Sequence, residues 1–256
     1  MNRALFGEAI DSFSKCVQTD TNMASAYQYR AACYAATGNW SNAIADFTAT
    51  IALNSGNETN YLNRANAFRA TGDLDLALCD FDRCLRLNRE TRGALIGRAS
   101  VYDERGEYAK AIPDLDKALE LNPRDTDAFA LRAHAHLMSG EVNMAFYDYS
   151  EALKMNQTNE VACNGLAWLL ATAPTEGVRD GRRAVALAKV ACELTGWKSW
   201  SRLDTLAAAL AESGDFEGAV KLEERALGLK GAAGPDKEKM LKRLDMYRKA
   251  TPYRAD

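Results

Sequence analysis

Two histidines, six cysteines and a regular series of arginines and aspartates are the side chains of this 256-residue chain whose types could do chemistry. His134 and His136 stand at i and i+2 of a helical pattern and so point to different faces, unlike the i, i+4 pair that clamps zinc. No nucleophile stands beside a histidine in a recognisable motif, and no glycine-rich loop offers backbone amides to a phosphate. No catalytic residue, metal site or cofactor is therefore expected. Cys16, Cys33, Cys79, Cys84, Cys163 and Cys192 form no CxxC pair. Cys16 and Cys84 stand where Ala118 and Ala152 stand at the same step. They read as small buried apolar residues, which suits a reducing, cytoplasmic setting.

The charged series is more informative. Arg30, Arg64, Arg98 and Arg132 recur every 34 residues, and Asp46, Asp80, Asp114 and Asp148 recur at the same step. Further on both charges disappear together, leaving Leu166 with Leu187 and Leu206 with Leu222. Positions that change as a pair within one chain are expected to touch. The arginine fork suits a paired carboxylate, so the expectation is an internal ladder between packed helices, later replaced by leucine pairs. The alternative is a row of arginines gripping acidic peptides or phosphates. Each arginine lies one residue before a small alanine on the packing stripe, which favours the internal ladder.

The elements that must position these residues repeat with them. Arg92–Asp125 reads as two amphipathic helices joined at Gly106, with Leu95, Ala99 and Tyr102 on one stripe and Ala111, Leu115, Ala118 and Leu121 on the other. Asn122-Pro123 ends the unit. Gly38, Gly72, Gly106 and Gly140 are 34 apart, as are Ala43, Ala77, Ala111 and Ala145. Tyr27, Tyr61, Leu95 and Phe129 keep the step, as do Ala31, Ala65, Ala99 and Ala133, and Phe47, Phe81, Leu115 and Tyr149. Tyr34, Phe68 and Tyr102 supply an aromatic that His136 replaces in the fourth copy. A helix–turn–helix unit of this period and pattern resembles the tetratricopeptide repeat (TPR). The resemblance implies an all-α fold, a right-handed superhelical solenoid in which each unit contacts mainly its neighbours.

On this reading residues 1–230 form the array. A half repeat at 7–23 precedes repeats 24–57, 58–91, 92–125, 126–159, 160–199 and 200–230. Residues 231–256 supply a flexible break, a capping helix and a tail. The fifth repeat carries a five-residue insertion in its turn, because Ala145 to Ala184 is 39 residues instead of 34. Pro113 falls inside a helix and is expected to remove one backbone bond and bend it slightly. The half repeat matches a second helix alone and leaves an apolar face around Phe13. Residues 1–5 cover that face, another chain covers it, or the chain is a piece of a longer protein. The last is favoured because terminal repeats usually need a polar cap.

Composition sets the partner class. Charged residues at 26% and apolar residues at 47% suit a soluble protein, and a formal net charge of −3 gives no basic field for nucleic acid. No apolar run approaches the ~18–20 residues of a membrane span, and the N-terminus lacks the apolar core of a secretory signal. A protein or peptide partner remains, with self-association through the half repeat also open.

The resemblance implies that first helices line a concave peptide groove, at Gln28, Leu62, Asn66, Arg69, Ile96, Ser100, Asp103, Ala130, His134, Met138, Asn164 and Trp168. Leu62, Ile96, Met138 and Trp168 are its apolar anchor candidates. The family's carboxylate clamp for chaperone C-termini maps to Gln28, Ala32, Asn63, Gly93 and Gly97, where only Asn63 fits, so that function is disfavoured. The last ~95 residues resemble a TPR subfamily abundant in planctomycete-type bacteria, whose closing motif is matched by Met246-Tyr247-Arg248 and Pro252-Tyr253-Arg254. The expected cap is the helix Lys237–Lys249, turning Met240, Leu241, Leu244 and Tyr247 inward and its lysines and arginines outward. The chain is expected to be a non-catalytic interaction scaffold, or else an assembly or regulatory arm docking through the half repeat.

Overall fold

A computed structural model describes residues 3–255, with side chains from residue 5 onward. The fold is all-α: among the described residues there are fourteen α-helices and no strand. The chain divides into two compact units at Asn122/Pro123. The first contains α1 (Arg3–Thr19), α2 (Ala24–Ala36), α3 (Trp40–Leu53), α4 (Glu58–Thr71), α5 (Leu74–Leu87), α6 (Arg92–Glu104) and α7 (Tyr108–Leu121). The second contains α8 (Thr126–Met138), α9 (Val142–Met155), α10 (Glu160–Thr172), α11 (Gly181–Leu194), α12 (Trp200–Glu212), α13 (Phe216–Leu227) and α14 (Gly234–Arg248). Within each unit, helix pairs stack on the pairs before and after them.

Local chemistry explains the boundaries. Gly38, Gly72, Gly106 and Gly140 have φ between 72° and 85°, the left-handed region that stops a helix without a Cβ clash. Side chains of Asn39, Asn57, Asp125, Asn159, Asp180 and Asp215 accept bonds from first-turn amides, satisfying donors that the helix leaves orphaned. Pro113 sits on the exposed side of α7, which remains continuous around it.

The stripes read from sequence form the cores. In the first unit Ala31, Ala43 and Phe47 pack as one cluster, and Ala65, Ala77, Phe81, Ala99, Ala111 and Leu115 are buried in the same way. The small side chains let helices approach, and the bulky ones fill the space between pairs. A Cβ on Gly97 would lie 2.4 Å from the Phe81 ring, and one on Gly165 would lie 2.2 Å from the Tyr149 ring. Each glycine therefore makes room for the aromatic residue sixteen positions earlier. In the core of the second unit Leu166, Leu203 and Leu206 are buried and Leu187 and Leu222 pack beside them.

Several expectations need correcting. Cys84, Cys163 and Cys192 are buried and Cys16 and Cys33 are half-buried, but Cys79 is exposed on the outer side of α5. The cap begins earlier than Lys237, at Gly234, because Pro235 occupies the first turn, where its missing N–H costs no hydrogen bond. Its Met240, Leu244 and Tyr247 face inward, whereas Leu241 is 49% exposed. Its Arg243 is buried, against the expectation that the basic residues face outward.

Candidate functional site

The arginine and aspartate series meet in space. Arg30 Nε donates to Asp46 Oδ2, Arg64 Nε to Asp80 Oδ2, Arg98 Nε to Asp114 Oδ2 and Arg132 Nε to Asp148 Oδ2, each at 2.7 Å. A second nitrogen of each arginine donates to the other carboxylate oxygen, completing a fork. All four aspartates are buried. Bonding to the aspartates, foremost among the causes, holds the guanidinium groups of Arg30, Arg64 and Arg98 above their ordinary value. These arginines are spent on internal contacts.

Sequence reasoning missed a second half of the ladder. Arg30 Nη1 also donates to Ser14 Oγ (3.1 Å), Arg64 Nη1 to Thr48 Oγ1 (3.0 Å) and Arg98 Nη1 to Asp82 Oδ1 (2.7 Å). Each of these three arginines thus bridges the second helix of its own repeat and that of the repeat before. The signal was present, since Ser14, Thr48, Asp82, Asp116 and Ser150 are 34 apart. At Ser150 the arginine has become Leu166, and the buried Ser150 Oγ has no hydrogen-bond partner.

The other chemistry-bearing residues serve the fold. His136 is buried, with Nδ1 against the Glu141 carboxylate and Nε2 3.8 Å from Asp148 Oδ2. Burial pushes the Cys163 and Cys192 thiols up to about 11, so both are inert thiols near neutral pH. No group of three or more metal-ligating side chains occurs among the described residues. No described helix is long and apolar enough to cross a membrane. A cleft of about 370 Å³ lies beside the inserted turn, lined by Phe146, Leu170, Val178, Arg179 and Arg183. Arg179 there is already bonded to Glu212 and to the carbonyls of Ala173 and Pro174.

The first helices carry the remaining candidates. In the first unit Gln28 lies half-buried on α2. On α4 and α6, which lie side by side, Leu62, Arg69, Ile96, Ser100 and Asp103 are half-buried and Asn66 is exposed. Leu62 leans over Gly93, where a Cβ would meet it at 3.4 Å. Arg69 reaches Glu104 at 3.5 Å, so its charge is partly used. Gly97 cannot be replaced by a longer side chain without moving Phe81, a physical reason why a clamp arginine does not fit there.

In the second unit Ala130 is buried, His134 and Asn164 are half-buried, and Met138 is 51% exposed. Trp168 is partly covered by the chain itself: the Tyr253 ring lies 5.9 Å away and the Arg243 guanidinium 5.3 Å away. Behind them is a cluster that sequence reasoning did not find. Arg243 of α14 forks onto Asp204 of α12 through two 2.9 Å bonds, and Glu223 of α13 is buried beside them. Burial, followed by the charge of Asp204, pushes the Glu223 carboxyl up to about 10. Burial likewise raises Asp204 and the Tyr247 phenol. Burial therefore favours the neutral form of Glu223, while Arg243 compensates Asp204.

Stacked helix pairs with alanine-lined seams and a mixed first-helix face define a repeat-built scaffold class. A family model described as tetratricopeptide repeat matches residues 94–125. No curated protein matches the chain. Solved structures are similar in fold. A tetratricopeptide repeat protein from Parabacteroides merdae is 19% identical with a TM-score of 0.69, over 95% of this chain and 92% of that one. PilF of Pseudomonas aeruginosa is 16% identical with a TM-score of 0.69, over 86% and 97%. YrrB, described as a TPR protein with an unusual peptide-binding site, is 21% identical with a TM-score of 0.54, over 77% and 96%.

Proposed function

We propose that this chain is a non-catalytic scaffold that holds an extended peptide or partner segment against its first helices. The observation that carries the reading is the side-by-side placement of α4 and α6. It sets Leu62 over Gly93 and leaves Asn66, Ile96, Ser100 and Asp103 at least partly open, a polar face with two apolar anchors. Such a face suits a segment that brings alternating apolar side chains and backbone hydrogen bonds. The likeness to YrrB supports a peptide as ligand. Free cysteines throughout the described residues support a reducing, cytoplasmic setting. The closing Met246-Tyr247-Arg248 and Pro252-Tyr253-Arg254 support the planctomycete-type subfamily.

The test is a peptide library selected on the purified chain, with affinities of the selected peptides measured by calorimetry. Leu62→Glu and Ile96→Glu should each weaken them at least about tenfold. Leu76→Glu, on the exposed side of α5, should leave them unchanged. Peptides that bind all three variants equally would remove the groove from the account.

A second reading has its own observation. Phe13 of α1 is half-buried and stacks on Tyr29 at 5.6 Å, whereas its equivalents Phe47 and Phe81 are buried. Ala9 and Cys16 beside it are also half-buried. A partner or a second copy docking on this face completes its burial.

A further inference from the structure

The last residues of the chain lie along the first-helix face of the second unit. Ala250, with φ 51°, ends α14 in the left-handed conformation, and Thr251 N donates back to Met246 O at 2.9 Å, so the chain reverses. Three different contacts then hold the tail. The Tyr253 ring lies against Trp168 of α10 and 5.5 Å from the Arg243 guanidinium. Arg254 Nη1 lies 2.7 Å from Glu212 Oε2 at the end of α12. Ala255 N donates to Thr172 O at 2.8 Å, satisfying a carbonyl that the end of α10 leaves without a helical partner. The receiving groups are fixed independently of the tail: Asp204 forks Arg243, and Arg179 Nε donates to Glu212 Oε1 at 3.1 Å.

These are the contacts by which a groove reads an extended peptide: an aromatic in a slot, a charge on a carboxylate and a main-chain bond to a fixed carbonyl. We propose that the α10–α12 face is a binding site for an extended segment in which an aromatic residue is followed by arginine, and that residues 251–255 are its resident intramolecular ligand. The proposal rests on the reading of first helices as the peptide face, and it names the ligand chemistry of one part of it. The tail runs along α10 in the helix direction, since residue 253 meets Trp168 and residue 255 meets Thr172. Asn164 lies one turn before Trp168, about 6 Å along the axis and about two extended residues upstream of the aromatic. Its Oδ1 is buried with no hydrogen-bond partner. The tail does not serve it, because the chain upstream of Pro252 turns into α14. A segment supplied in trans competes with the tail for the Trp168 slot, Glu212 and the Thr172 carbonyl, and it meets the high effective concentration of that tethered tail.

The experiment uses the full chain and a fluorescein-labelled synthetic peptide, Lys-Ala-Thr-Pro-Tyr-Arg-Ala-Asp, followed by anisotropy. The double variant Tyr253→Ala/Arg254→Ala, checked for fold by circular dichroism, should bind the peptide at least tenfold more tightly than the unmodified chain. Adding Glu212→Gln to that variant should reverse most of the gain, and a peptide with alanine for tyrosine should not bind. No binding to the double variant up to about 1 mM overturns the proposal, as does binding no tighter than to the unmodified chain. Binding insensitive to Glu212→Gln also overturns it. So does a doubled mass by light scattering that collapses in the double variant, which assigns the face to tails exchanged between copies. Leu76→Glu, on the exposed side of α5, should leave this binding unchanged. The library test on Leu62→Glu and Ile96→Glu reads the α4–α6 groove separately, so failure here leaves that groove standing, and failure there leaves this site standing.

Discussion

A guanidinium and a carboxylate set in a fork behave differently from the same charges on open surface. Arg64 and Asp80 have side chains only 18% and 6% exposed, so removing one partner strands a charge that water reaches poorly. Arg64→Ala should cost about 2–4 kcal/mol, somewhat below a fully buried pair because the arginine keeps some water. Arg64→Leu with Asp80→Leu copies what the chain does at Leu166 and Leu187. It should return to within about 1 kcal/mol of the starting stability, since a buried pair and a packed apolar pair are often nearly equal. Urea unfolding of both variants is the check, and a double variant as unstable as the single one would refute the equivalence. The ladder was legible because periodicity aligns positions that must meet. Ser14, Thr48 and Asp82 carry the same period but differ in residue type, so chemistry alone does not single them out.

Helices in the array are placed by their neighbours, and α14 shows where the repeat stops instructing. Its partners come from α12 and α13 in a cluster without the 34-residue step, so no sister unit announced that Arg243 turns inward. The cluster makes a prediction about pH. The folded chain keeps a proton on Glu223 up to about pH 10, while the unfolded chain releases it near the ordinary carboxyl value of 4.5. The folded state therefore binds more protons between these limits, and stability falls as pH rises through that window. Asp204, raised by burial, contributes with the same sign. Arg243, Tyr247 and the more distant Asp236 are the other charged or titratable groups acting on this pair. Glu223→Gln keeps a donor without a titrating proton. Its melting temperature should exceed that of the unmodified chain at pH 8–9 and converge with it near pH 5. A gap that is constant across this range would remove Glu223 as its source.

At the scale of the molecule, the helix-pair order was readable throughout, down to the longer fifth turn, because glycine stops and alanine seams recur at fixed spacing. Which side of a first helix is occupied was not readable. Trp168 reads as an open anchor until the tail is seen against it, and nothing local in Pro-Tyr-Arg says that the chain folds back on itself. The α1 face poses the same kind of question. Light scattering should give one mass for the unmodified chain, and Phe13→Asp should lower that mass if the face is the seam between copies. An unchanged mass together with unchanged partner binding would take Phe13 out of any docking role.

The five-residue insertion falls in the first repeat from which the Arg–Asp pair has gone. A fork tolerates little change in angle or reach, whereas two leucines stay in contact through small shifts of one helix against the other. Where arginine forks onto its aspartate, all four turns have one length. Where leucine has taken over, that geometric constraint lapses and loops become free to lengthen. The ladder thus coincides with the four repeats whose partners stand sixteen residues apart, and the lengthened turn lies just beyond it.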